Sequence, residues 1–209
     1  MPEISVVIPA FNAMKYLPQT VDSVLQQTFH DFEVVIVNDG SADSIETWVN
    51  QSVTDPRLRL VSQENQGIAG ARNTGIANAQ GEFIAFLDAD DLWHPSKLQK
   101  QIKRLKDSPE VGLVYTWLQY ADEQAVPNGR VVKSSFRGDV WEQLTAFNFV
   151  GCGSNARVRR DCFETVGNFD KSLGSYVEDW DMWLRIAKQY PFAVVEEPLV
   201  YNRKHAGRC

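Results

Sequence analysis

The chain has 209 residues, a net charge of -6, 44% hydrophobic and 23% charged residues, enough to close a full core without disulfide or metal staples. Scattered basic residues on an acidic chain argue against nucleic acid as a partner, because phosphate-backbone binding needs a concentrated cationic surface. Cys152, Cys162 and Cys209 include no CxxC pair, which argues against a disulfide framework or thiolate zinc site and fits a reducing compartment.

The first half alternates β-branched runs with amphipathic segments, the pattern of a parallel sheet covered by helices on both faces. Strands are expected at Ile4 to Pro9, Phe32 to Asp39, Arg57 to Val61 and Glu82 to Asp88. Helices are expected over Tyr16 to Gln27, from about Ile45 with Asp43 as cap, and over the small-residue stretch Gly67 to Ala79. A fourth helix, Pro95 to Lys106, puts Leu98, Ile102 and Leu105 on one face and its lysines and Arg104 on a solvated one, with an acidic membrane surface as a second use of that face.

Beyond it, Glu123 to Ser135 reads as a loop or hairpin. "EDWDMWLRIAKQ" reads as a helix with Trp180, Trp183, Leu184 and Ala187 on one face, and "FAVVEEPLVYNRKH" as a last strand. The organisation expected is one domain over 1–209, a nucleotide-type half at 1–91 and a less regular half at 92–209. No run approaches the ~18 apolar residues of a transmembrane helix. "MPEISVVIPAF" has neither a basic nor a long apolar leader region, so a cytoplasmic chain, with peripheral association at the inner membrane face, is expected.

In open parallel sheets ligands bind at the carboxyl ends of the strands. Here those ends carry "PAFN" (Pro9 to Asn12), Asn38-Asp39 and "DADD" (Asp88 to Asp91). Asp39 stands where nucleotide-binding folds hold a ribose or base, and also suits an ordinary Asx turn. The first turn has no glycine, and no GxxxxGK[ST] occurs, so neither a dinucleotide fingerprint nor a P-loop is present. Asp88 and Asp90 could present two carboxylates to a hard cation that fills its other positions with phosphate oxygens and water. Asp91 suits the N-terminal end of the helix that follows.

"VVIPAFN", "IVNDGSAD", "ENQGIAGARNTGI", "FLDADD", "GNFD" and "EDWDMWLR", in this order, resemble the family-2 glycosyltransferases of GT-A fold, from Ile4 to about His205. The resemblance implies a Rossmann-like, mostly parallel central sheet with a smaller acceptor-side region. It implies inverting transfer of a sugar from a nucleotide-sugar, UDP-sugar first, to a saccharide or lipid-linked acceptor in cell-surface polysaccharide or glycoconjugate synthesis, with Mn²⁺ or Mg²⁺. Position by position, Asp39 resembles the base-reading acid, with Pro9 and Phe11 lining the nucleotide site and Arg72 beside it. Asp88 resembles the first D-x-D acid, near ribose and metal, Asp90 the metal ligand, and His205 a C-terminal histidine that some relatives place on the metal.

Inverting transfer needs a base for the acceptor hydroxyl. Asp179 matches the second acid of the family's ED motif, with Glu178 as the fallback; both also suit the first turn of a helix. Trp93, Trp141, Trp180 and Trp183 could stack on sugar faces, although Trp180 and Trp183 also suit a helix core face. Gly151 to Asn155 fall where such enzymes contact donor or acceptor. A non-catalytic nucleotide-sugar-binding module and a sugar nucleotidyltransferase are the alternatives, the latter lacking the Gly-rich basic loop it would want.

Overall fold

The computed structural model describes residues 1–174 and 177–205. Strands β1 (Ile4–Ala10) and β2 (Phe32–Asp39) are buried at every position, so their apolar runs are continuous rather than alternating. With β3 (Leu58–Gln63) and β4 (Phe83–Phe86) they form the parallel segment β3-β2-β1-β4. The sheet continues through β8 (Arg157–Arg159), β6 (Leu113–Ala121), β9 (Phe192–Arg203) and the two-residue β5 (Leu92–Trp93), so one sheet runs through both halves of the sequence. Here β6 and β9 run in the direction of β1, whereas β5, β8 and β7 (Pro127–Val132) run against it.

The two faces of the sheet are covered separately. Along β1, Ile4, Val6 and Ile8 join one core cluster and Val7 the other. The first cluster holds Leu17, Val21 and Val24 of α1 (Leu17–Leu25), Ile45 and Val49 of α2 (Ile45–Ser52), and Leu98, Ile102 and Leu105 of α4 (Lys97–Asp107). The second holds α3 (Gly67–Asn78), Leu144 of α5 (Trp141–Ala146), Phe163 of α6 (Arg160–Val166) and Trp183 of α7 (Glu178–Ala187). No described helix is long and apolar enough to cross a membrane.

The Glu123 to Ser135 stretch takes the hairpin alternative, supplying the returning strand β7 antiparallel to β6. Other local expectations change. Lys97 lies not on a solvated face but fully buried, its Nζ 4.0 Å from the Trp93 ring centroid and donating to Gln101 Oε1 at 2.9 Å; burial and nearby Arg157 pull its pKa well below the usual lysine value. Asp43 does more than the expected capping: its Oδ1 accepts the Ile45 N–H at the start of α2 at 3.4 Å, with Ser44 at the cap position, and its Oδ2 ties two loops by accepting the Met14 N–H at 2.9 Å. On α7 the buried stripe is Met182, Trp183, Ile186 and Ala187 together with Glu178 and Asp179, and Trp180 and Leu184 are only partly buried. The helix therefore carries two acids into the protein, which its apolar periodicity did not show.

Candidate active site

A cleft of about 1050 Å³ opens along the carboxyl ends of β1, β2 and β4. Its lining includes Pro9, Phe11, Asp39, Arg72, Asp88, Asp90, Glu178, Asp179 and His205, so the residues read from the sequence as nucleotide, metal and base candidates meet in one place. They arrive from six segments because parallel strands deliver their carboxyl-end loops to one edge of a sheet.

On the β1–β2 side, Asn12 sits at φ +49°. Its backbone N–H donates to Ser41 Oγ at 3.0 Å and its Oδ1 accepts the Ala42 N–H at 2.8 Å, locking the two strand-end loops together. Asp39, 2% exposed, accepts from Gln63 Nε2 at 2.6 Å and from the backbone N–H of Gln66 at 2.9 Å through Oδ1. It thereby sets the entry of α3.

Helix α3 brings Arg72 into the protein. Gly75 lets the helix approach β1 closely; a Cβ there would stand 2.1 Å from Val7 Cγ1. Arg72 is 1% exposed and its guanidinium lies over Phe169, 5.4 Å from the ring centroid. Nη2 donates to Asp88 Oδ1 at 2.9 Å and Nη1 to Glu178 Oε1 at 2.7 Å. One arginine thus joins the end of β4 to the start of α7.

Asp179, next to Glu178, is 7% exposed. Burial raises its pKa to about 7, against the pull of Arg72 and with the repulsion of Glu178 and Asp88 added. The two acids divide by environment: Glu178 is committed to Arg72, whereas Asp179 is held near the neutral range where a base can exchange a proton.

The acid loop lies just past β4. It closes on itself, the Asp91 N–H donating to Asp88 O at 3.0 Å. Asp90 faces His205, with Oδ2 and Nε2 2.9 Å apart, and the His205 ring packs on Tyr16 at 4.5 Å between centroids. Arg203 holds this strap, donating to Asp90 O, Glu123 O and Gln19 Oε1 at 2.7 to 2.8 Å. Asp91 does not cap α4. It is fully buried and accepts from Ser154 Oγ at 2.6 Å, the Arg203 N–H at 3.0 Å and Asn202 Nδ2.

Among the described residues no group of three His, Cys, Asp or Glu side chains is placed to hold a metal ion. The adjacent Asp90 and His205 fit instead a cation that takes two protein donors and completes its shell from diphosphate oxygens and water, while Asp88 is turned to Arg72. No tryptophan lines the cleft. Trp93 and Trp183 are buried, and Trp180 donates through Nε1 to Leu144 O, so these rings pack rather than present a sugar platform. Of Gly151 to Asn155, Gly151 and Cys152 line the cleft while Ser154 and Asn155 lie beneath it. The lining residues Tyr16, Glu123 and Lys204 carried no signal in the sequence, because only the return of β9 past α1 brings them together.

Residues 5–167 match the model of glycosyl transferase family 2. The chain belongs to that family. Across 99% of its length this family-2 chain is 30% identical to an uncharacterized glycosyltransferase of Rickettsia prowazekii, spanning 65% of that protein. It is 28% identical over 97% of its length to chondroitin synthase of Escherichia coli, spanning 29% of it. The chain thus spans less than two thirds of these relatives' length. Among solved structures, S. aureus TarS 1-349 superposes with a TM-score of 0.79 at 21% identity, covering 97% of this chain and 60% of that one. The same protein in complex with UDP-GlcNAc gives 0.78 at 23%. At these identities the likeness shows the fold, which is the expected GT-A type.

Proposed function

We propose that this family-2 domain transfers a sugar from a nucleotide-diphosphate sugar to an acceptor hydroxyl with inversion, using Asp179 as base and Mn²⁺ or Mg²⁺ held by Asp90 and His205. The observation that carries the reading is the meeting, in one cleft, of the strand-end acid Asp39, the acid loop and a buried carboxyl raised to about 7. UDP-sugars are the first donors to test, since a TarS structure is a complex with UDP-GlcNAc. A mannosyltransferase of Pyrobaculum calidifontis with GDP-Man and Mn²⁺, TM-score 0.72, makes GDP-sugars the second. A saccharide or lipid-linked acceptor in polysaccharide or glycoconjugate assembly is the matching role.

In this reading Asp39 accepts from the base edge, and Pro9 and Phe11 line its sides. Asp88, fixed by Arg72, stands at the ribose. Arg72 also holds Glu178 in place by its hydrogen bond, so that Asp179 takes the proton of the attacking hydroxyl as the glycosidic bond forms. A cation held by Asp90 and His205 would supply the positive charge that offsets the charge on the leaving diphosphate.

The test is calorimetric titration of UDP with and without Mn²⁺, on the native chain and on Asp90→Ala. Binding tightened by Mn²⁺ in the native chain and not in the variant is expected. UDP binding that is indifferent to the metal would sink the cation assignment. Turnover of a UDP-sugar that survives Asp179→Asn would remove the base.

A further inference from the structure

Beneath the cleft, Ser154 occupies the middle of a single 3-10 turn, Gly153–Asn155, and is fully buried. Its hydroxyl accepts the backbone N–H of Asp88 at 3.0 Å and donates to Asp91 Oδ2 at 2.6 Å, and its carbonyl accepts Trp93 Nε1 at 2.9 Å. One residue thus holds the acid loop at its first and last aspartates and at the strand that follows. Asp91 passes the constraint on, since its Oδ1 accepts the Arg203 N–H at 3.0 Å and Arg203 Nε grips Asp90 O at 2.8 Å. His205 lies two residues further along. Neither Ser154 nor Asp91 lines the cleft, so neither touches a ligand there.

The neighbours of Ser154 are fixed with equal care. Gly153 lies under Arg72, where a Cβ would stand 2.4 Å from Nη2. Asn155 Oδ1 accepts from the backbone N–H and the hydroxyl of Thr116 on β6, at 2.9 and 2.7 Å. The turn is therefore anchored to the sheet on one side and supports both halves of the site on the other.

We infer that Ser154 is a positioning residue which, through Asp91, couples the acid loop to the end of β9 and so sets Asp90 against His205. The hydroxyl is suited to this because it accepts and donates at once. Alanine can do neither. Asp91, whose carboxylate collects donors from Ser154, Asn202 and Arg203, keeps its other two partners when the hydroxyl is removed, so the fold has the means to survive the change.

The metal consequence rests on the proposed function above, so the test has two readouts. The first is amide hydrogen exchange in Ser154→Ala. Loss of protection at Asp88 follows trivially from the missing acceptor, but Arg203, which Ser154 does not touch, is also expected to lose protection by ~10-fold or more. An unchanged Arg203 amide overturns the coupling. The second is UDP titration with and without Mn²⁺. The tightening by Mn²⁺ is expected to fall ~10–100-fold, as when a supporting partner of a metal ligand is removed, and metal-free UDP affinity, which feels only the loosened Asp88 amide, by much less. Ser154→Thr, which keeps the hydroxyl, should restore both.

Equal losses of metal-free and metal-dependent binding, or no rescue by threonine, would reduce Ser154 to general packing and overturn the inference. Indifference of the native chain to Mn²⁺ would refute the cation reading, and the Arg203 amide would still decide the coupling.

Discussion

Arg72 Nη1 and Glu178 Oε1 lie 2.7 Å apart with both side chains almost wholly buried, and they join α3 to α7 across 106 residues of sequence. The same guanidinium holds Asp88, so three buried or half-buried acids, with Asp179 as the third, share one cation. Arg72→Met leaves those acids facing one another without it. A loss of about 3–5 kcal/mol in denaturant unfolding at pH 8 is expected, the usual cost of breaking a buried pair from one side. The loss should shrink at pH 5, below the Asp179 value of about 7, where one of the three charges is gone, and Glu178→Gln added to Arg72→Met should recover part of it. A pH-independent loss would mean that packing rather than charge is what Arg72 supplies.

Asp179 sets a trade between stability and chemistry. Its folded pKa, about 7, lies above the ordinary carboxyl value because burial disfavours the charge. Between the unfolded and folded values the unfolded chain releases the proton first, so stability is fully present below about pH 4 and falls as pH rises to about 7. Asp179→Asn should therefore match the native chain near pH 4 and exceed it at pH 8, by at most about 4 kcal/mol. Sugar transfer should do the reverse, rising with pH through about 7 in the native chain and lost in the variant. Thermal unfolding at both pH values checks the first expectation and a pH–rate profile the second.

Asp39 is held by Gln63 and the Gln66 N–H, which fixes its carboxylate at the cleft wall. Asp39→Asn keeps the shape and removes the charge. A charged hydrogen bond to the base is worth about 1.5–3 kcal/mol, so UDP affinity should fall about 10- to 100-fold, with the Mn²⁺ dependence intact. Loss of the Mn²⁺ dependence instead would place Asp39 near the phosphates.

Two glycines test the packing around Arg72. Alanine favours a helix interior over glycine by about 1 kcal/mol, yet Gly75→Ala would drive a methyl into Val7, and overpacking of about 1–3 kcal/mol should win. Gly153→Ala meets the guanidinium itself and should both destabilise the chain and displace Arg72 from Asp88. The check is chemical denaturation of each variant, with UDP affinity impaired by Gly153→Ala and spared by Gly75→Ala.

Much was legible in the sequence because its causes are local. β2 spans the predicted residues and the start of α7 falls at Glu178, since β-branched runs and acids followed by helical spacing act over a few residues. The meeting of Asp39, Asp88 and Asp90 in one cleft followed from the rule that parallel strands present their carboxyl ends together.

Other assignments depended on distant partners. Asp91 has the spelling of a helix-start acid and became a buried anchor only because β9 returns to offer Asn202 and Arg203. Lys97 has the spelling of a solvated lysine, and its burial over Trp93 follows from the way α4 packs against β6 and β9. Ser154 lay in a stretch read as a contact to sugars, and its hydroxyl instead faces inward.

The sequence by itself determined the α/β class, the strand-end acids and the resemblance to a family, because these rest on periodicity, turn chemistry and motif order. The tertiary structure alone decided which acid Arg72 holds, why Asp179 is poised near neutrality, and what stands against Asp90. Those are properties of burial and of charges brought together from residues up to about a hundred apart in the chain, and no local pattern encodes them.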